Sequence, residues 1–261
     1  MPDKKISVVI PCRNEAENLG FLLDEIDTAM TGRNYEVLVV DDGSTDATAK
    51  LLASRMEDGK PLRHIRHDRS SGQSCALRSG VYAASGSIIV SLDGDGQNDP
   101  VYLPQLVDKL IAGGESLGLV AGQRLKRTDT KLKQFSSRMA NGLRQAILKD
   151  NTRDSGCGLK AVRADIFKKL PYFNGWHRYL PALVLREGYQ VGHLDVIDRE
   201  RVHGKSNYGI LDRALVGVLD LFGVWWLRRR FKIVPKVSEI KLNPATKLDE
   251  APKLDEVKGN N

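Results

Sequence analysis

The sequence predicts an α/β protein built on a mostly parallel sheet, and three observations lead there. Short β-branched runs recur, helix-like stretches alternate with them, and the connections between the two are brief. That alternation is what a parallel sheet covered on both faces requires. Residues 5–10, 35–40, 62–66 and 87–92 read as strands bounded by turn residues, and 117–121 as a fifth. Between them, 15–31 carries Leu19, Leu22, Leu23 and Ile26 on one helical face, with Asn14 and Glu17 spaced as a capping box. Residues 45–56 and 73–84 read as helices. Asp99 followed by Pro100 reads as an N-cap and first helical residue, opening a helix to about Ile111.

The second half is less regular. Residues 131–149 read as a basic helix, 154–160 as a Gly-containing loop or short strand, 176–187 as a helix and 190–197 as a strand. A long helix follows from about Gly209. The 261 residues suit one elaborated domain with an appendage, and 41% apolar with 28% charged is ordinary for a globular chain. This excludes a fibrous repeat, wholesale disorder and a disulfide-stapled miniature. The longest charge-free piece of the apolar stretch 210–227 is 221–227, short of the roughly 20 residues a membrane span needs. With no apolar leader at the N-terminus, a cytoplasmic protein is expected, and Cys12, Cys75 and Cys157 are expected as reduced thiols.

The net charge is +7, and it is unevenly placed. The tail from Lys236 carries five Lys and five acids, so the excess lies before it. Between Arg124 and Arg144 seven basic residues face one acid, and Arg228, Arg229, Arg230 and Lys232 form a second cluster. Such stretches are either solvated faces or attractors of an anionic partner. A nucleic-acid module is disfavoured, because aromatics do not interleave with the charge.

In open parallel sheets ligands bind beyond the carboxyl ends of the strands. Polar residues collect there. Asp93, Asp95 and Gln97 alternate directly after an apolar strand, a pattern of oxygen ligands that suits Mg²⁺ or Mn²⁺. The alternative is an acidic turn with Gly94 and Gly96 at its bends. Asp41 and Asp42 make a second acidic turn, with Ser44 or Asp46 as a helix cap. Ser71, Gly72 and Gln73 precede a helix whose N-terminus could receive phosphate, without the Lys of a Walker loop. The five histidines show no ligand spacing and read as surface or core residues.

Taken together, IPCRNEAENL, VVDDGSTDAT, SGQSCALRSG, LDGDGQNDP, DSGCGLKA and RVHGKSNYG closely resemble family 2 glycosyltransferases of the dolichyl- or polyprenyl-phosphate sugar synthase group, over about residues 5–208. The resemblance implies a GT-A fold. It implies inverting transfer of one sugar from a nucleotide-sugar to a polyprenyl phosphate with a divalent metal. Carried over by position, it implies that Pro11, Arg13, Glu15, Val40, Asp42, Asp93 and Gly94 hold the nucleotide. Asp93, Asp95 and Gln97 would hold the metal, and Asp93, Asp95, Arg124 and Arg201 would form the catalytic set. Arg124, Arg127, Lys160, Arg201, Lys205 and Ser206 would meet the acceptor phosphate. Gly94 and Gly96 stand where the family has Ala and Leu, and Asn207 where a Lys is common.

The implied organisation is a transferase domain over 1–208, an amphipathic helix with its basic cluster over 209–235, and a flexible tail over 236–261. Leu211, Leu215, Val218, Leu219, Phe222 and Trp226 recur at helical spacing. Such a helix could lie in an anionic headgroup layer on the inner face of the cytoplasmic membrane. A core or dimer helix is the competing reading. Peripheral attachment leaves room for a separate integral membrane partner and for a homo-oligomer. The competing functions are a glycosyltransferase with a soluble or protein acceptor and a non-catalytic anion-binding module.

Overall fold

The structure, a computed structural model, describes residues 4–125, 142, 144–199, 210–232 and 235, with side chains from 216 onward in the last helix. Contacts gather Met1–Phe231 into one unit and Lys232–Asn261 into another, of which only Lys232 and Pro235 are described. The order is β1 (Ile6–Cys12), α1 (Ala16–Ala29), β2 (Tyr35–Asp41), α2 (Thr48–Glu57), β3 (Leu62–Arg66), α3 (Gln73–Ala83), β4 (Ile88–Ser91), α4 (Tyr102–Ala112) and β5 (Leu117–Arg124). Then come β6 (Lys160–Arg163), α5 (Ala164–Lys169), a 3-10 turn at Trp176–Arg178, α6 (Leu180–Arg186), β7 (Gln190–Val196) and α7 (Ile210–Arg230).

The strands form one sheet in the order β3-β2-β1-β4-β6-β5-β7. Every neighbouring pair is parallel except the two that involve β6. The sequence reading therefore holds for the parallel frame. It read 154–160 as a loop or short strand and did not reach the rest of β6, because four residues after a Gly-rich loop carry too little periodic signal. Their pairing is fixed by β4 and β5 on either side.

Period-two alternation decides which side chains go to which face. Val8, Ile10, Val37 and Val39 pack under α1 and α4, while Val9, Leu38 and Val40 pack under α3. Leu19, Leu22, Leu23 and Ile26 form the buried stripe of α1. Each contributes roughly 1.5–3 kcal/mol by leaving water. The second layer is completed by Phe167, Trp176, Leu180, Leu183, Leu221 and Val224. Through those last two residues α7 joins the core.

Three capping expectations are corrected. Asn14 does not cap α1: it sits at φ 56° and accepts hydrogen bonds from Thr45 instead, tying the β1 loop to the β2 loop. Asp99 does not begin α4 directly. It accepts the Val101 backbone N–H at 3.0 Å, and the helix starts at Tyr102. The expected cap of α2 falls to Ala47, with Asp46 accepting the Thr48 N–H at 3.0 Å from just outside.

Candidate active site at the sheet rim

The carboxyl ends of β1, β2 and β4 converge, because β1 lies between the other two and all three run parallel. The loops after them meet at one edge. Beneath that edge is a cavity of about 340 Å³, whose walls include Pro11, Gln73, Asp93, Arg124, Lys160 and Arg178.

Asp93 directly follows the β4 strand region and enters this cavity. Its backbone N–H donates to Asn98 Oδ1 at 3.0 Å, and its Oδ1 accepts the Gln73 side-chain amide at 2.7 Å. Burial pushes its carboxyl up to about 6, and the neighbouring charge of Asp95 pushes the same way. Asp95 accepts the Gln97 backbone N–H at 3.2 Å, and the Gln97 carbonyl accepts the Arg199 N–H at 2.8 Å. Glycine at 94 is required by packing: a Cβ there would lie 2.8 Å from Cys12 Cβ.

Among the described residues no three His, Cys, Asp or Glu side chains stand together as a metal cage. The oxygen donors present are Asp93, Asp95 and Gln97. Asp93 lines the cavity, Asp95 and Gln97 are not among its lining residues, and oxygen donors of this kind suit a hard cation with phosphates in its remaining positions.

The implied nucleotide contacts are spread along the same rim. Pro11 lines the cavity, and Arg13 is exposed beside it. Glu15 stands at the N-cap of α1 and accepts the Asn18 side-chain amide at 2.6 Å. Val40 is fully buried in the core under α3, so only its backbone reaches the rim. Asp42 is an anchor of the following loop. Its oxygens accept hydrogen bonds from the Ser71 and Gly72 backbone and the Ser70 hydroxyl, and His67 Nδ1 lies 2.7 Å away. Burial raises that carboxyl, but these bonds win and hold it below the usual range.

The implied phosphate contacts divide in two. Arg124 lines the cavity, but its guanidinium already pairs with Asp154 and, at 3.2 Å, with Asp198. Lys160 is buried, and its ammonium donates to the Cys157 carbonyl. Burial lowers its pKa. Arg127, Arg201, Lys205 and Ser206 lie outside the described residues.

The basic stretch from 124 to 144 is also corrected at its far end. Arg144 is no surface cation; it is buried and paired with Asp150 and the Thr152 carbonyl. Cys12 and Cys157 sit at the rim as protonated thiols. Burial pushes Cys157 up to about 11 and Cys12 higher still.

Sequence reasoning missed five contributors. Gln73 was read only as part of a helix start, yet it holds Asp93. Asp154 and Asp198 orient Arg124 from loops distant in sequence. His177 and Arg178 reach the cavity from the 3-10 turn, where an isolated His-Arg pair has no periodic or motif signal.

Helix α7 stands near this rim. Tyr179 Oη donates to the Gly217 carbonyl at 3.0 Å, and Leu221 and Val224 are buried. Val218, Leu219, Phe222, Trp225 and Trp226 share another face of the helix and are exposed. Arg229 lies over the Trp225 ring at 5.3 Å. No helix among the described residues is long and apolar enough to cross a membrane.

Residues 7–171 match the model of glycosyl transferase family 2. The chain is 36% identical over 233 residues to the dodecaprenyl-phosphate galacturonate synthase of Rhizobium johnstonii, covering 86% of this chain and 68% of that protein. It is 34% identical over 213 residues to the undecaprenyl-phosphate 4-deoxy-4-formamido-L-arabinose transferase of Klebsiella pneumoniae, covering 80% of this chain and 64% of that one. The chain thus spans about two thirds of the length of these relatives. Among solved structures, glucosyl-3-phosphoglycerate synthase of Mycobacterium tuberculosis with Mn²⁺, UDP and phosphoglyceric acid superposes with a TM-score of 0.65. The identity is 21%, over 88% of this chain and 80% of that one. That likeness shows a shared fold.

Proposed function

Because the chain belongs to glycosyl transferase family 2, we propose that it moves one sugar from a nucleotide-sugar to a polyprenyl phosphate, with inversion at the anomeric carbon. The observation that carries this is Asp93, a crowded carboxylate in a cavity at the strand ends, with Asp95 beside it. The acceptor class is supported by the two relatives, which are named for polyprenyl-phosphate substrates.

The chemistry asks little of a general base. A phosphate monoester is ionised at neutral pH, so its oxygen attacks the anomeric carbon directly. The bond from that carbon to the diphosphate oxygen breaks, and the nucleoside diphosphate leaves with the electron pair. Asp93, Asp95 and Gln97 would hold Mg²⁺ or Mn²⁺, which would supply positive charge for the departing diphosphate. The protein's own task is positioning. Gln73 and Asn98 fix Asp93, and Asp154 and Asp198 fix Arg124, whose charge stays in the cavity wall. Pro11, Arg13, Glu15, Val40, Asp42 and Gly94 form the nucleotide side of the rim. Arg127, Arg201, Lys205 and Ser206 would add acceptor contacts from the two segments that flank it in sequence.

The acceptor's hydrocarbon lives in a bilayer, and α7 offers the means of reaching it. Its inner face is fixed in the core, and its outer face presents Phe222, Trp225 and Trp226 beside arginines. That pattern suits the anionic headgroup layer of the inner face of the cytoplasmic membrane. Residues 1–208 would then carry the transfer and 209–235 the membrane contact, while the tail over 236–261 lies outside the described residues.

The test is direct. Protein, undecaprenyl phosphate and Mn²⁺ or Mg²⁺ are incubated with a panel of UDP- and GDP-sugars that includes uronates, and glycolipid is sought. One donor should give product, and Asp95→Asn should abolish it with the fold intact. No glycolipid from any donor, or full turnover by Asp95→Asn, refutes the proposal.

A further inference from the structure

A second cavity adjoins the first. A groove of about 340 Å³ runs between the turn before α3, the 174–178 turn and α7, and its lining includes Gln73, Ser74, His177, Arg178, Gly217 and Asp220. Gln73, His177 and Arg178 line the Asp93 cavity as well. These three residues therefore line both, which sets the groove beside α7 directly against the Asp93 cavity.

Ser74 builds that wall. Its hydroxyl oxygen accepts the Gly175 N–H at 2.8 Å, and its carbonyl accepts the Trp176 indole N–H at 3.2 Å. The same hydroxyl lies 2.8 Å from His177 Nδ1. With Gly175 donating to the oxygen, the hydroxyl proton is directed at Nδ1, and the ring proton belongs on Nε2. Burial lowers the ring to about 3, helped by the charges of Arg178 and Lys160, so the imidazole is neutral. Gly175 has φ 97°, and a Cβ there would stand 2.9 Å from Asp220 Oδ2, so glycine lets α7 close against the turn.

The charges at this wall are unequal in their commitments. Arg124 is paired with two carboxylates and Lys160 with a carbonyl. Arg178 is exposed, and among the described residues it has no carboxylate within 4.0 Å. Asp220 shares its groove without forming an ion pair, and burial raises that carboxyl while Arg178 lowers it. An anion entering from α7 meets Arg178, whose guanidinium has no hydrogen-bond acceptor among the described residues. His177 Nε2–H is a second donor with no partner among the described residues.

We propose that Arg178, with His177 Nε2–H beside it, binds the phosphate monoester of the acceptor as it passes from the α7 groove into the Asp93 cavity. The word acceptor rests on the transfer reading above. The recognised chemistry, a phosphate monoester, is common to a lipid phosphate and a small phosphorylated metabolite.

The experiment titrates farnesyl phosphate and, separately, 3-phosphoglycerate into protein held with UDP and Mn²⁺. Wild type, Arg178→Ala, Arg178→Lys, His177→Phe and Gly217→Leu are compared, with UDP affinity measured for each. Gly217 lines the groove, and a Cβ added there meets nothing within 4 Å. Farnesyl phosphate should bind wild type, and Arg178→Ala should weaken it by at least about tenfold. Lysine should restore part of the loss, His177→Phe and Gly217→Leu should weaken it too, and UDP affinity should not move. Equal farnesyl phosphate binding by Arg178→Ala overturns the inference and leaves the lipid-phosphate reading standing. Arg178-dependent binding of 3-phosphoglycerate alone upholds the inference and overturns the lipid acceptor. Binding of neither ligand, or a parallel loss of UDP affinity, overturns the inference.

Discussion

Gly158→Ala is the sharpest probe of the carboxylate site, because a methyl group there presses on the reacting rim without adding or removing a charge. A Cβ at Gly158 would lie 2.6 Å from Asp93 Oδ2 and 2.7 Å from its Cγ, and closer still to Asn98 Oδ1. Asn98 cannot easily yield. Its Oδ1 accepts the Asp93 N–H at 3.0 Å and its amide donates to Asp198 at 3.2 Å. The Gly158 carbonyl is likewise held by the Ser91 hydroxyl at 2.8 Å. Reaching an ordinary 3.4 Å contact requires the Asp93 carboxylate to retreat by about 0.8 Å. Misplacement of that size lowers turnover by about 100-fold. The same overpacking costs about 1–3 kcal/mol of stability, a modest shift for a domain of this size. The assay is glycolipid formation with saturating donor, alongside a thermal melt and UDP affinity in the presence of Mn²⁺. Gly156→Ala is the control. It sits in the same loop, and its Cβ would meet only the far end of Arg124, at 3.3 Å, and Asp154. Near wild-type turnover by Gly158→Ala would show that the position of Asp93 does not govern the reaction.

Other predictions test separate links. Asp93, raised to about 6, carries a proton below that pH that a divalent ion must displace. Mn²⁺ affinity and transfer should therefore fall as pH drops below about 6. Carboxyl NMR of metal-free Asp95→Asn should show Asp93 titrating lower, since a like charge is gone; an unmoved titration refutes the coupling. Glu36 is pushed up by burial, yet bonds from Ser7, Ser85 and Arg63 hold it down at about 2, from an ordinary 4.5. A lowered carboxyl stabilises the fold above pH 4.5 and loses that contribution as pH falls toward 2, in all about 3 kcal/mol. Glu36→Gln should flatten acid unfolding in that window, and an unchanged acid limb by circular dichroism contradicts the assignment. Trp225→Ala with Trp226→Ala removes two exposed rings and no core contact. Sedimentation with anionic liposomes should drop by about tenfold or more while the melting temperature holds. Equal sedimentation removes α7 from the membrane contact.

The parallel frame was legible because β1, β2 and β4 are buried on both faces and read as unbroken β-branched runs. The rim was legible for the same reason, since polar residues directly after such a strand have nowhere to go but its carboxyl end. Asp93 and Asp95 were found this way. The capping box at Asn14 was misread because two hydrogen-bond partners compete for one side chain, and Thr45 is close only once β1 and β2 pair. Arg124 and Lys160 were legible as cations near the site. Their engagement by Asp154, Asp198 and the Cys157 carbonyl was not, because those partners come from other loops.

Sequence alone determined the order of strands and helices through β5, the family, and the acidic turn at the end of β4. These depend on local pattern, which a chain carries within a few residues. Tertiary structure decided which charges remain open to a ligand. It set Arg178 and His177 beside Asp93, drew Arg144 inside, and left one face of α7 bare. Those outcomes depend on which distant groups meet, and an ion pair or a buried contact is a property of two segments that neither one encodes by itself.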